Sequence, residues 1–323
     1  MRVLLTGCAG FIGWKVAELL LADGHAVVGI DNLNAAYDPR LKEWRLAELS
    51  DRAGFTFRRA DIADRADLDA AAGGDAFDAV VNLAARAGVR QSVEDPWIYE
   101  QTNVRGTLNL LELCRAREVG KFVLASTSSL YGAANPRPFR EDADSDHPLS
   151  PYAASKKAAE VLAYTYHYLY GLDVTIPRYF TVYGPAGRPD MSIFRFIQWI
   201  SEGRPVIVYG DGTMERDFTF VEDIARGTVA ALRPVGYEII NLGSDHPVTV
   251  GDAIAQIEAL VGARARIERL PAHPADVAAT WAGIEKARRL LGWGPQTSFH
   301  DGLVQAVQWY QTNRAWAKDV RTT

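Results

Sequence analysis

An α/β fold built on a doubly wound parallel sheet, with a smaller α/β part attached, is what the 323-residue sequence predicts. Two observations carry this. From Met1 to about Arg178, short β-prone runs alternate with amphipathic stretches, the pattern of βαβ units and a parallel sheet. After Pro177 the rhythm breaks into Gly/Pro-rich loops mixed with short helices and strands, as in Gly184-Pro185-Ala186-Gly187-Arg188-Pro189 and Tyr209-Gly210-Asp211-Gly212.

The strands are expected at Val3 to Thr6, Ala26 to Asp31, Phe55 to Arg59, Ala79 to Leu83, Phe122 to Ser126 and Val174 to Arg178, six on one sheet. Between them, Ile12 to Leu21, Pro96 to Arg117 and Tyr152 to Tyr170 carry apolar residues at helical spacing. A helix beginning at Val221, followed by Tyr237-Glu238-Ile239-Ile240-Asn241-Leu242, is again α/β in character and is expected to return to the first sheet. The expected division is therefore residues 1–178, joined by about 222–246, for nucleotide binding, with 179–221 and 247–323 forming the smaller part across a shared cleft.

A hydrophobic content of 48% with 23% charged residues is that of a soluble globular protein. A net charge of -5 offers no basic field for nucleic acid, so the expected partner is a small molecule. Two cysteines, Cys8 and Cys114, cannot staple a chain of this length, which points to a reducing compartment. The first residues run straight into an apolar strand, and no stretch has the apolar length of a membrane span; a cytoplasmic location without membrane attachment is expected. Six histidines show no paired ligand spacing, so no metal site is expected.

The first strand ends in Thr6-Gly7-Cys8-Ala9-Gly10-Phe11-Ile12-Gly13, a G-x-x-G-x-x-G loop opening onto an apolar helix. Glycines permit a tight turn and close approach to a pyrophosphate, which then meets the unpaired N–H groups of the helix N-terminus. Such a loop alone is also an ordinary strand-to-helix turn. Its context decides: Asp31 closes the second strand 18 residues after Gly13, where a carboxylate can accept from both adenosine ribose hydroxyls. Asn32 and Leu33 follow with no adjacent arginine, so a 2'-phosphate would be repelled and NAD is expected over NADP. The sheet is thus of Rossmann type. Asp61-Ile62 and Leu83-Ala84-Ala85 stand at carboxyl ends of strands, where the ligand crevice of such a sheet opens, though small-residue packing accounts for them nearly as well.

The fifth strand runs into Ser126-Thr127-Ser128-Ser129-Leu130-Tyr131-Gly132, and a later helix begins Tyr152-Ala153-Ala154-Ser155-Lys156. Tyr and Lys at i and i+4 share a helix face, so the ammonium can favour the ionised phenol. A free tyrosine titrates near ~10 and is a poor base at neutral pH; a neighbouring Lys and a positive nicotinamide both lower that value. Thr127 can orient an alcohol and shuttle its proton. Each feature alone is common on helix surfaces and in loops; together, after the fifth strand of a dinucleotide-binding pattern, they fit alcohol oxidation with hydride transfer.

These residues, with Asn103-x-x-Gly106-Thr107 and Arg216-Asp217-Phe218-Thr219-Phe220-Val221-Glu222-Asp223-Ile224, resemble the extended short-chain dehydrogenase/reductase family over essentially the whole chain. Within it the likeness is to nucleotide-sugar epimerases and dehydratases, and Arg178-Tyr179-Phe180-Thr181-Val182-Tyr183-Gly184-Pro185 with Gly187-Arg188-Pro189-Asp190-Met191 looks like the segment of UDP-glucuronate 4-epimerases. The resemblance implies Thr127, Tyr152 and Lys156 as the catalytic set. It implies a cofactor wall of Gly7, Gly10, Phe11, Ile12, Gly13, Asp31, Asn32, Asp61, Ile62, Leu83, Ala84, Ala85, Asn103, Ser126, Tyr152, Lys156 and Tyr179. On the substrate side it implies Ser128 and Ser129 beside the sugar, Thr181 and Arg188 facing it, Arg216 near the diphosphate and Asp276 toward the uridine. A homodimer paired through the Pro96 to Arg117 and Tyr152 to Tyr170 helices is implied as well; burial inside the monomer explains the apolar faces of those helices equally well.

The reaction this implies is reversible conversion of UDP-glucuronate to UDP-galacturonate through a 4-keto sugar, with NAD regenerated in each cycle. Relatives that eliminate water or decarboxylate usually carry Glu at the position of Ser129, often preceded by Asp; this chain has neither. UDP-glucose 4-epimerase, and decarboxylase or dehydratase chemistry on the same scaffold, are the alternatives, with Arg188 arguing against the first and Ser129 against the second. A nucleotide-sensing protein without activity is the more distant one, opposed by the intact Thr127, Tyr152 and Lys156.

Overall fold

The computed structural model describes residues 1–271 and 277–322. Its strands are β1 (Arg2–Thr6), β2 (Ala26–Asp31), β3 (Phe55–Arg59), β4 (Ala79–Asn82), β5 (Lys121–Leu124), β6 (Ser126–Thr127), β7 (Asp173–Tyr179), β8 (Thr181–Tyr183), β9 (Pro205–Tyr209), β10 (Glu215–Phe220), β11 (Tyr237–Leu242), β12 (Pro247–Thr249) and β13 (Arg266–Leu270). The main sheet runs β3-β2-β1-β4-β5-β7-β11 with every pair parallel, and β6 lies beside β7. The six expected strands are all present, and β11 returns to the sheet as expected. The correction is to the count: β11 and the short β6 make it eight-stranded.

Alternation within the strands explains why they read as unbroken apolar runs. Leu4, Val28, Val80, Phe122 and Val174 feed one apolar cluster, whereas Val3, Leu5, Val27, Val81 and Val123 feed another on the opposite face. Both faces are covered by helices, so both sets of positions are mostly apolar, the buried exceptions including Thr6, Asn82, Lys121 and Thr175. The smaller assemblies are a three-stranded sheet, β12-β10-β8, and the parallel pair β13-β9, packed over a separate cluster that includes Ile193, Phe196, Trp199, Val206, Phe218, Ile254 and Leu303.

β5 and β6 are interrupted at Ala125. β7 pairs with β5 at Asp173, Val174 and Thr175, then with β6 at Arg178 and Tyr179. Pro177, which has no N–H to give, falls in the gap on that side of the ladder. The register with β7 resumes unchanged past the gap, so Ser126 and Thr127 stand beyond β5 at the carboxyl ends of the strands.

The expected continuous helix from Pro96 to Arg117 is instead three pieces: α-helix over Pro96–Tyr99, one wide π turn over Glu100–Arg105, and α-helix again over Gly106–Ala116. The wide turn swings Asn103 inward, and Gly106 is packed so closely that a Cβ there would sit 2.7 Å from Ile62.

The glycine turn is equally tight. Gly7 has φ of +71°, and a Cβ on it would lie 2.7 Å from the Ala84 nitrogen; a Cβ on Gly13 would lie 2.0 Å from the Gly7 carbonyl. Gly13→Ala must therefore displace the turn, at about 1–3 kcal/mol. A lower unfolding temperature together with an NADH affinity weakened more than about tenfold is the expected result, read by thermal unfolding and fluorescence titration.

Candidate functional site

A cleft of about 330 Å³ opens at the carboxyl ends of the main sheet. Its floor is the glycine turn with Gly7, Gly10, Phe11, Ile12 and Gly13; Asp31, Asn32, Asp61 and Ile62 line one end, and Leu83, Ala84 and Ala85 the middle. Ser126, Thr127, Ser128, Ser129, Tyr152, Lys156, Tyr179, Thr181 and Arg188 line the other end. The strand order reverses between β1 and β4, so the crevice lies where such sheets bind ligands.

Two of the residues named from sequence stand elsewhere, and a third falls outside the described residues. Asn103 is buried off the cleft: its Oδ1 accepts from the Arg86 N–H at 2.8 Å and its amide donates to the Arg86 carbonyl and to Ser155 Oγ. It therefore ties the loop after β4 to the helix Pro151–Tyr170 and does not line the cleft. Arg216, on β10, donates to the Glu215 carbonyl at 2.8 Å and does not line the cleft. Asp276, with His273, lies outside the described residues. Elsewhere in the Arg216 to Ile224 motif, Asp217 accepts from the N–H groups of Ser244 and Ala282, and Asp223 from that of Thr297, so these acids clasp loops.

At one end of the cleft Asp31 accepts from the Ala9 N–H at 3.3 Å and the Leu33 N–H at 2.8 Å. Sequence reading missed what stands beside it: Lys42 Nζ lies 3.5 Å from Asp31 Oδ1 and donates to Asn34 Oδ1 at 3.2 Å. Lys42 sits on a helix whose pairing with this wall no spacing rule announces, and Tyr37, Asn34, Phe180 and Met191 are wall residues missed for the same reason. The glycine cradle, the helix N-terminus behind it and a carboxylate at the ribose position together fit a dinucleotide.

At the reacting end, the helix Pro151–Tyr170 starts where Ser150 accepts from the Ala153 N–H and Pro151 occupies the first turn; Gly171, left-handed, ends it. Tyr152 and Lys156 thus stand on its first turns, facing the cleft. Thr127 caps the turn Ser128–Tyr131, accepting from the Ser129 N–H at 3.1 Å and donating to Ser129 Oγ at 3.1 Å. Burial raises the Tyr152 phenol above its ordinary value, while the Thr127 hydroxyl and the Arg188 charge pull it back. Lys156 donates to the Ala125 carbonyl at 3.0 Å, and burial lowers its pKa to about 8 against the opposing pull of Glu160.

Glu160, one turn further along the same face, is itself buried. It accepts from Ser126 Oγ at 2.5 Å and takes a two-pronged hold from Arg178, Nε at 2.9 Å and Nη2 at 2.7 Å. These bonds lock β6 and β7 to the helix Pro151–Tyr170. At the far wall Arg188 grips Asp190, with Nε at 3.0 Å from one oxygen and Nη2 at 2.5 Å from the other, and also donates to the Ala87 carbonyl at 3.2 Å. Arg188 holds the Asp190 carboxyl below its usual range despite burial.

The low pKa of Lys156 makes a stability prediction. Between about 8 and the ordinary 10.5 the unfolded chain binds the proton and the folded chain does not, so stability rises with pH through that window and the cost of the buried ammonium is full below it. Lys156→Met is expected to be more stable than the native protein at pH 7, by on the order of 2–3 kcal/mol, with the gap closing by pH 10.5. Thermal unfolding at the two pH values checks this, and the variant loses activity by about 10²-fold or more.

The model of the NAD dependent epimerase/dehydratase family matches residues 3–243. The chain belongs to this family. A UDP-glucuronate 4-epimerase of Thermodesulfobacterium geofontis is 55% identical over 319 residues, covering 98% of each chain. A solved UDP-glucuronic acid 4-epimerase of Bacillus cereus, in complex with UDP-glucuronic acid and NAD, aligns with a TM-score of 0.90 at 37% identity, over 97% of this chain and 100% of that one. A UDP-glucose 4-epimerase of Thermotoga maritima with UDP-glucose reaches the same TM-score at 30% identity, with the same coverage. For an NAD dependent epimerase or dehydratase, the cleft supplies a cofactor turn at one end and, at the other, a phenol, an ammonium and a hydroxyl able to move a proton on an alcohol. Among the described residues, no group of three or more His, Cys, Asp and Glu could hold a metal ion, and no helix is long and apolar enough to cross a membrane.

Proposed function

We propose that this protein interconverts UDP-glucuronate and UDP-galacturonate by epimerisation at C4. One observation carries the reading: Arg188, Ser128 and Ser129 line the same cleft as Tyr152 and Lys156, which puts carboxylate-binding groups beside the proton-transfer groups. NAD, when bound, accepts the C4 hydride and later supplies it. Tyr152 takes the C4 hydroxyl proton and returns it, Thr127 orients that hydroxyl, and Lys156 holds positive charge near the phenol. The oxidised sugar must turn over before reduction, so the nucleotide is held firmly and the ring loosely.

Retention of the uronate carboxyl is the second demand. A ketone at C4 makes the C6 carboxylate that of a β-keto acid, which loses CO2 when the breaking bond lies perpendicular to the carbonyl plane. Arg188 with Ser128 and Ser129 would hold the carboxylate near that plane, where overlap is poor.

The same reading divides the chain into 1–178 with about 222–246 for NAD, and 179–221 with 247–323 for the nucleotide sugar. It places the protein in the cytoplasm as a homodimer. Support for pairing comes from the exposed Trp97, Leu108, Val161, Tyr164, Tyr168 and Leu169 on the Pro96–Ala116 segment and the catalytic helix. Two buried free cysteines suit a reducing compartment.

Incubation with NAD and UDP-glucuronate, followed by NMR of sugar configuration and CO2 together, tests the function. UDP-galacturonate without CO2 is the expected outcome. Turnover of UDP-glucose with none of the uronate would overturn the substrate assignment and leave the cleft chemistry standing.

A further inference from the structure

Arg45, on the helix Arg40–Ser50, has no exposed surface, and none of the ion pairs among the described residues includes it. A buried guanidinium without a counter-charge is costly unless every donor is met. Here all five N–H groups are used. Nε and Nη2 donate to the Ala186 carbonyl at 3.1 and 2.7 Å, and Nη2 also to the Gly187 carbonyl at 3.2 Å. Nη1 donates to the Ala9 carbonyl at 3.2 Å and to the Tyr37 hydroxyl at 2.7 Å.

These acceptors come from two separate parts of the cleft. Ala9 lies inside the glycine turn, while Ala186 and Gly187 immediately precede Arg188. Ala186 has φ of +50°, a left-handed conformation that a residue with a Cβ resists, and it is completely buried. Both prongs of the fork on its carbonyl help to hold it there. The Phe11 ring, 5.7 Å from the guanidinium carbon, sits on the same group and lines the cleft.

We propose that Arg45 is a positioning residue that ties the cofactor turn to the loop presenting Arg188, so that one guanidinium sets both. The inference rests on the UDP-glucuronate reading, because it assigns Arg188 to the carboxylate. A lysine keeps the charge but cannot reproduce the planar five-donor fork. In Arg45→Lys the Arg188 loop relaxes from the glycine turn, while the uridine end of the substrate keeps its contacts.

The experiment compares wild type and Arg45→Lys for UDP-glucuronate KM and kcat, CO2 released per epimerisation, and UDP affinity. Expected are a KM raised about tenfold or more, a larger fraction lost as CO2, and a UDP Kd within about twofold of wild type. Unchanged KM and CO2 fraction in a folded variant would overturn the proposal; so would an equal loss of UDP affinity, which marks general damage. Should Arg45→Lys fail to fold, Tyr37→Phe removes one acceptor of the fork and moves KM and CO2 in the same direction, wild-type values again overturning it. A wild type that leaves UDP-glucuronate untouched overturns the substrate reading and this inference with it, an outcome visible before any variant is made.

Discussion

Replacing Tyr152 with Phe lowers kcat by about 10³-fold while leaving KM for UDP-glucuronate within a few-fold of wild type. The ring stays, so the edge contact with Tyr99, at 6.1 Å between centroids, is retained and the fold is undisturbed. What is lost is the oxygen that exchanges a proton with the C4 hydroxyl. Burial holds the Tyr152 phenol high, and the two groups that pull it down, the Thr127 hydroxyl and the Arg188 guanidinium, come from different walls of the cleft. Wild-type kcat/KM is accordingly expected to rise with pH as the phenol ionises, and Thr127→Val to move that rise to higher pH. Steady-state rates across pH 6 to about 10, with the variant run beside the wild type, check both. A Phe variant with near-native kcat would remove Tyr152 from the chemistry.

Arg188→Ala is expected to raise KM for UDP-glucuronate about 10²-fold and to divert turnovers into CO2 loss. Two effects add. The substrate carboxylate loses its cation, and Asp190, gripped at both oxygens by Arg188, is left as an unpaired carboxylate in the wall that the uronate must approach. Asp190→Asn separates them, since it frees Arg188 without creating the repulsion and should leave KM near or below the native value. The NMR measurement of product sugar and CO2 reads the partition directly. Unchanged partitioning in Arg188→Ala would show that the carboxyl is protected by something other than its orientation.

The sheet was legible because its physics is local. Strands covered on both faces are mostly apolar, and a glycine turn followed by a strand ending in Asp has few other uses. The catalytic helix was legible for a similar reason: the helical spacing from Tyr152 to Tyr170 and the i, i+4 pair Tyr152 and Lys156 announce a helix and a face. What escaped depends on pieces distant in sequence. Lys42 reaches Asp31 only because its helix packs against the helix Phe11–Ala22 and β3, and the fork of Arg45 closes on carbonyls 141 and 142 residues away, which no side-chain pattern records. Asn103 was assigned to the cofactor on the family resemblance alone; the wide turn that carries it inward is a property of the backbone.

That turn has a consequence for which changes the chain can absorb. A π turn holds one more residue than an α turn, so the segment Glu100–Arg105 carries one residue more than regular winding between the helices on either side of it. Deleting a single residue there would restore regular winding without rotating the flanking helices, and would remove the bulge that turns Asn103 inward. Asn103 would then leave Arg86 and Ser155, and the loop after β4 would be cut from the catalytic helix. The stretch is thus tolerant of many side chains but fixed in length, and its length is what keeps two walls of the cleft in register.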